Sequence, residues 1–130
     1  MPGELPWTRI DELHRMILDR LIAEYRLAGL SEAETDHLNR AWHRLDPWPD
    51  AVAGLTRLKR RFIIGTLSNG NTRLLVDMAK HADLPWDVVL SAELAHHYKP
   101  DPEAYRLPPD LRGLSGAEVM LVAAHPGDLG

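Results

Sequence analysis

Three short runs of this sequence gather groups able to bind or move charge. Thr66, Ser68, Asn69, Gly70 and Asn71 close the run FIIGTLSNGN. Lys99 stands in YKPDPEAY, ahead of Asp101 and Tyr105, and His125 and Asp128 stand in AAHPGDLG. Hydroxyl and amide groups donate to an anion, a lysine balances its charge, and a carboxylate or imidazole beside them can hold or move a proton. Together they describe a pocket for a small anionic substrate, with an acid or base next to it. Each run by itself has a plainer reading: Ser-Asn-Gly-Asn suits a turn and helix cap, Lys-Pro-Asp-Pro a surface turn before a helix, and His-Pro-Gly-Asp a loop. What favours the pocket is that all three follow apolar segments, in order along the chain.

Such groups converge when parallel strands end side by side. Phe62 to Leu67 is an apolar run without polar alternation, the pattern of a strand buried on both faces, and ligands gather at the carboxyl ends of such sheets. Val88 to Leu90 and Val119 to Ala124 read as two further strands. A short helix over 51–59 precedes the first strand, and between the strands fall a helix over 72–82 with Leu74, Leu75, Met78 and Ala79 inward and a proline-started turn of helix at Pro102. This alternation predicts parallel crossover units and an α/β fold. The first third is helical: Ile10, Leu13, Ile17, Leu21, Tyr25 and Ala28 form one stripe, and Leu38, Ala41, Trp42 and Leu45 a second. Thr8 with Asp11, and Ser31 with Glu34, stand at capping-box spacing, and Gly29 closes the first helix. Two antiparallel helices follow. DPWPD, residues 46–50, is then a hinge or boundary.

The chain has 130 residues, 45% of them hydrophobic, enough for one packed domain. A formal charge of -4 and a single short basic cluster, Lys59-Arg60-Arg61, read as a solvated helix end, give no face for nucleic acid. The absence of cysteine excludes disulfides, thiolate zinc sites and a cysteine nucleophile, and fits a reducing compartment. No apolar run approaches the roughly 18 residues of a membrane span, and MPGELPW is no signal peptide, so a cytoplasmic location is the default. No metal site is expected: His96-His97 lack further ligands, and His14, His37, His43 and His81 are dispersed, on what should be helix surfaces. There is no phosphate-cradling glycine loop.

WHRLDPWPD, GTLSNGN, YKPDPEAY and VMLVAAHPGDL together resemble the haloacid dehalogenase (HAD) superfamily, most closely its type II 2-haloacid dehalogenases, from about Leu5 onward. The resemblance implies a Rossmann-like core into which a helical cap is inserted. Residues 1–45 would be part of the cap, DPWPD the return hinge, and residues 46–130 part of the core. Ser68 and Asn69 match the motif whose hydroxyl and amide hold the substrate carboxylate. Lys99 matches the lysine that balances the charge of nucleophile and substrate, and Tyr105 a pocket residue. Asp128 matches the acidic residue that helps place the hydrolytic water, or helps hold magnesium in phosphatase relatives. His125 puts a titratable ring where the better-known dehalogenases have an amide.

The implied activity is hydrolysis of the carbon–halogen bond of a short 2-haloacid through an aspartyl ester, without a cofactor. Alternatives are a magnesium-dependent phosphatase of the same superfamily, or an inactive remnant that only binds or dimerises. In the family the nucleophilic aspartate ends a strand that precedes everything matched here, and a helix and strand finish the core beyond the fourth motif. The chain is therefore read as a middle fragment, inactive alone, with self-association or a homodimer left open. The absent strand would lie between those ending at Ser68 and His125, so these two are expected to pair directly or to accept another chain. Pro108-Pro109 is expected to interrupt the helix after Tyr105.

Overall fold

The computed structural model describes residues 6–128, apart from the side chains at 111 and 112. Helix α1 spans Ile10–Glu24 and α2 Glu32–Asn39, followed by a 3-10 turn, Arg40–Arg44, and by α3, Ala51–Lys59. The rest alternates: strand β1 (Gly65–Ser68), α4 (Thr72–His81), β2 (Val88–Ser91) and α5 (Pro102–Arg112). Among the described residues no helix is long and apolar enough to cross a membrane.

Local signals explain most of these elements. At α2 the capping box forms as its spacing predicts: the Glu34 amide donates to Ser31 Oγ at 3.3 Å, and the Ser31 amide to Glu34 Oε2 at 2.8 Å. At α1 it does not. Thr8 Oγ1 donates to the Pro6 carbonyl at 2.7 Å, and the carboxylate of Asp11 is engaged by distant residues described below. α5 also departs from expectation, running through Pro108 and Pro109. The prolines forgo two helix bonds, but Pro102 presets the first turn and the last is closed by a Schellman pair. There Leu114 donates to the Pro109 carbonyl at 3.0 Å and Gly113, left-handed at φ 63°, to Asp110 at 3.3 Å.

β1 and β2 pair in parallel, with Gly65 opposite Val88 and Ser68 opposite Ser91. Leu74 and Leu75 of α4, Leu90 of β2, Ala92 and Ala104 are buried about this pair. The strand begins at Gly65 and not at Phe62. The Ile64 carbonyl accepts from the amides of both Asp87 and Val88, at 2.9 and 3.3 Å, while its own amide turns to the Asp87 carboxylate at 3.0 Å. That arrangement ends the ladder and leaves Phe62 and Ile63 exposed. A Cβ at Gly65 would lie 2.6 Å from Val88 Cγ1 and 3.0 Å from the Val88 carbonyl oxygen. Gly65→Ala is therefore expected to force the strands apart and lower stability by about 1–3 kcal/mol, read as a lower urea midpoint.

The third expected strand is not one. Residues 119–123 form no regular element and 124 lies in a bend; half-buried and exposed side chains alternate along them, yet they pair with neither strand, so the sheet has two strands among the described residues. Extended backbone becomes a strand only when its amides and carbonyls find a neighbour. The direct pairing of this segment with β1 expected above does not occur. Met120 and Val122, within the expected strand, are 83% and 80% exposed. The last residues of the carboxyl-terminal run, and residues 1–5 of the segment read for targeting, lie outside the described residues.

Candidate active site

Because β1 and β2 end level, the loops that follow them start side by side. Ser91, fully buried at the end of β2, donates through Oγ to the Gly70 carbonyl at 2.6 Å and accepts from the Glu93 amide at 3.0 Å. Ser68 Oγ accepts from the Gly70 amide at 3.1 Å. The side-chain amide of Asn69 exchanges two bonds with the backbone of Lys99: its oxygen accepts from the Lys99 amide at 2.7 Å, and its nitrogen donates to the Lys99 carbonyl at 3.3 Å. The turn after β1 is thus pinned to the end of β2 and to the Lys99 loop.

Lys99 Nζ lies 3.0 Å from Asp128 Oδ1, and the Tyr105 hydroxyl donates to the same oxygen at 2.8 Å. Ser68, Asn69, Lys99, Tyr105, His125 and Asp128 all line one open cleft of about 440 Å³, together with Pro100 and Gly127. These six of the residues the sequence nominated therefore reach the same cavity, whereas Thr66, Gly70, Asn71 and Asp101 are not part of its lining. A groove of similar size, about 420 Å³ and bounded by Val76, Lys80, Asp83 and Trp86, shares none of these residues and gathers no such set of donors around a carboxylate.

The Lys99 ammonium, and after it the Tyr105 hydroxyl, hold the Asp128 carboxyl below the usual carboxylate range; the same hydrogen bond to Asp128 pushes the Tyr105 phenol up. A carboxyl whose pKa is depressed by folding contributes stability above its unfolded value, and loses it as pH falls through the folded value. The Lys99–Asp128 contact is accordingly expected to stay intact from neutral pH down to the ordinary aspartate range, near about 3.9, and to open below it. The carboxyl carbon resonance of Asp128 checks this: a midpoint at or above the ordinary value would contradict the arrangement.

One set of residues escaped the sequence. His43, expected on a helix surface, is 5% exposed. Its Nδ1 lies 2.8 Å from Asp77 Oδ2 and its Nε2 3.0 Å from Asp11 Oδ1. The other oxygen of Asp11 accepts from Asn71 Nδ2 at 2.9 Å, and Asn71 Oδ1 accepts from the Asp11 amide at 3.3 Å. Helical periodicity through Leu38, Trp42 and Leu45 pointed elsewhere. Residues 40–44 form a 3-10 turn, whose three-residue period rotates the inward face, so His43 is buried while those three stay exposed. His14 was also expected at the surface, yet its ring stacks on Trp42 at 4.9 Å, half-buried, and burial pushes its pKa down.

The family model of the haloacid dehalogenase-like hydrolases matches residues 6–122. The chain belongs to this family of hydrolases. It is 36% identical over 108 residues to (S)-2-haloacid dehalogenase 1 of Pseudomonas sp. (strain CBS-3), a match covering 78% of this chain and 47% of that protein. It superimposes on the crystal structure of the defluorinating L-2-haloacid dehalogenase Rha0230 with a TM-score of 0.92 at 50% identity, over 98% of this chain and 53% of that one. Similarity extends to L-2-haloacid dehalogenase from Xanthobacter autotrophicus with chloropropionic acid covalently bound, with a TM-score of 0.83 at 27% identity, over 95% and 50% of the two chains. The chain thus spans about half the length of the relatives it matches.

Proposed function

We propose that this chain carries the anion-binding half of a 2-haloacid dehalogenase site, and that residues 1–45 belong to its cap and 46–130 to its core. The observation that supports this reading is the convergence of Ser68, Asn69, Lys99, Tyr105 and Asp128 on one cleft at the ends of two parallel strands. In this reading Ser68 and Asn69 donate to the substrate carboxylate, and Lys99 neutralises the charge that substrate and nucleophile bring together. Tyr105 and His125 shape the pocket. A carboxylate from beyond the matched half attacks carbon 2, a carbon–oxygen bond forms, and the halide departs with the electron pair of the broken bond. Water then cleaves the ester at its carbonyl carbon, releasing the 2-hydroxyacid and restoring the carboxylate. Asp128, kept ionised by Lys99 and Tyr105, accepts a hydrogen bond from that water.

The residues described do not fit magnesium by themselves. The cleft offers one carboxylate, with an ammonium already on it, and no group of three acidic or histidine side chains gathers at metal-binding spacing among the described residues. The phosphatase alternative therefore gains no support from these side chains.

Titration of the isotope-labelled chain with chloroacetate tests the reading. Shifts are expected at the amides of Ser68, Asn69 and Lys99, and Lys99→Met should abolish them. Binding elsewhere, or binding indifferent to Lys99, would contradict it.

A further inference from the structure

The reading of Ser68 and Asn69 as donors to the substrate carboxylate raises the question of what holds their turn in place. One end is tied down inside the sheet, where Ser91 Oγ donates to the Gly70 carbonyl. The other end is Asn71, buried at the N-cap position of α4, yet its side chain makes no cap bond to that helix. It serves a different one. Asn71 Oδ1 accepts from the Asp11 amide, in the first turn of α1, and Asn71 Nδ2 donates to the Asp11 carboxylate. A helix start leaves such amides without intrahelical partners, so the turn residue supplies the cap that Thr8 does not. Asn39 Nδ2 adds a bond to the Asp11 carbonyl at 3.1 Å.

This joint depends on where Asp11 points, and His43 decides that. Its ring lies between two carboxylates, one on α1 and one on α4, with a nitrogen directed at each. Arg73, 3.7 Å from Asp77 Oδ2, steadies the far carboxylate. Without the ring, Asp11 Oδ1, on a mostly buried side chain, would lose the partner that fixes its direction, and the like-charged Asp77 would stand opposite it with nothing between them. Asp11 would swing out and take Asn71 with it.

We propose that His43 is a positioning residue for the anion-binding turn, acting through Asp11 and Asn71 without touching the substrate. It is a link between α1 and the cleft, carried by a contiguous chain of hydrogen bonds and not by a shared surface.

The test uses the 130-residue chain with chloroacetate as probe, in four forms: unaltered, His43→Leu, His43→Gln, and His81→Gln as a control at an exposed histidine paired with Asp46 at 3.0 Å. His43→Leu is expected to displace the amide resonances of residues 68–71 and the side-chain amide of Asn71, and to weaken chloroacetate binding roughly tenfold. His43→Gln keeps one donating amide and should recover part of both effects; His81→Gln should change neither. Thermal melts run in parallel identify variants that remain folded, and if His43→Leu is not among them, His43→Gln against the unaltered chain carries the comparison. A folded His43 variant with unmoved turn resonances and unaltered affinity overturns the proposal. Should the unaltered chain not bind chloroacetate, the substrate reading falls. The linkage is then still decided by the turn resonances, which sustain it if they move with His43 and overturn it if they do not.

Discussion

Incubated alone with 2-chloropropionate or chloroacetate, the 130-residue chain is expected to release no chloride above a buffer blank. Displacement at carbon 2 needs a carboxylate with free lone pairs aimed at the substrate. Among the described residues that line the cleft, the one carboxylate is Asp128, and its Oδ1 accepts from both Lys99 and Tyr105. The bonds that keep it ionised also draw off the electron density an attack would use. Chloride measured over hours, against blank and against heat-treated protein, decides the matter. Release that survives repurification and vanishes in Asp128→Asn would show that Asp128 attacks after all. The complementary experiment joins to this chain the part of a dehalogenase relative lying outside the match. Halide release from that hybrid, unaffected by EDTA, is the expected result, whereas magnesium-dependent turnover of a phosphate ester would move the assignment to the phosphatases.

The chain is also expected to self-associate. Its two strands pair with each other, and among the described residues nothing pairs with their outer edges. An open edge presents a row of amide and carbonyl groups to any other extended chain. Phe62 and Ile63, just ahead of β1, are largely exposed, as are Met120 and Val122 in the unpaired segment. Apolar side chains next to an unpaired edge favour association. Light scattering after size exclusion should show mass rising with concentration, together with binding of a hydrophobic dye. A monomer that is stable to dilution, melts sharply and binds no dye would refute this.

Reading the sequence worked where a signal is local or where a residue type has few uses. The Ser31–Glu34 capping box lies within four residues, and the structure forms it. Ser68, Asn69, His125 and Asp128 stood out because they follow apolar runs and Lys99 because it precedes a proline-started helix, whereas Tyr105 was nominated by the family resemblance alone; what the structure adds is that the six line one cleft. What stayed hidden depends on distant partners. Nothing near Asp11 tells that its carboxylate meets residues 43 and 71 and so leaves Thr8 without its expected role. The run 119–124 has the composition of a strand, but composition cannot supply the neighbour a ladder requires. Pro108 and Pro109 read as a break because intrinsic preference disfavours them, whereas closure of both helix ends carries α5 through.

The paired bonds between the Asn69 side chain and the Lys99 backbone amount to a selection rule on residue type. A peptide group offers one acceptor and one donor at fixed separation, and a carboxamide offers the same two, so Asn69 makes with the Lys99 backbone the paired bonds that a neighbouring main chain would make. An aspartate there could receive the Lys99 amide but would turn an acceptor toward the Lys99 carbonyl; a serine would be too short to span both. At this position only a side chain that imitates the main chain keeps the lysine loop one rung away from the turn, and the width of the cleft mouth is thereby counted in peptide units.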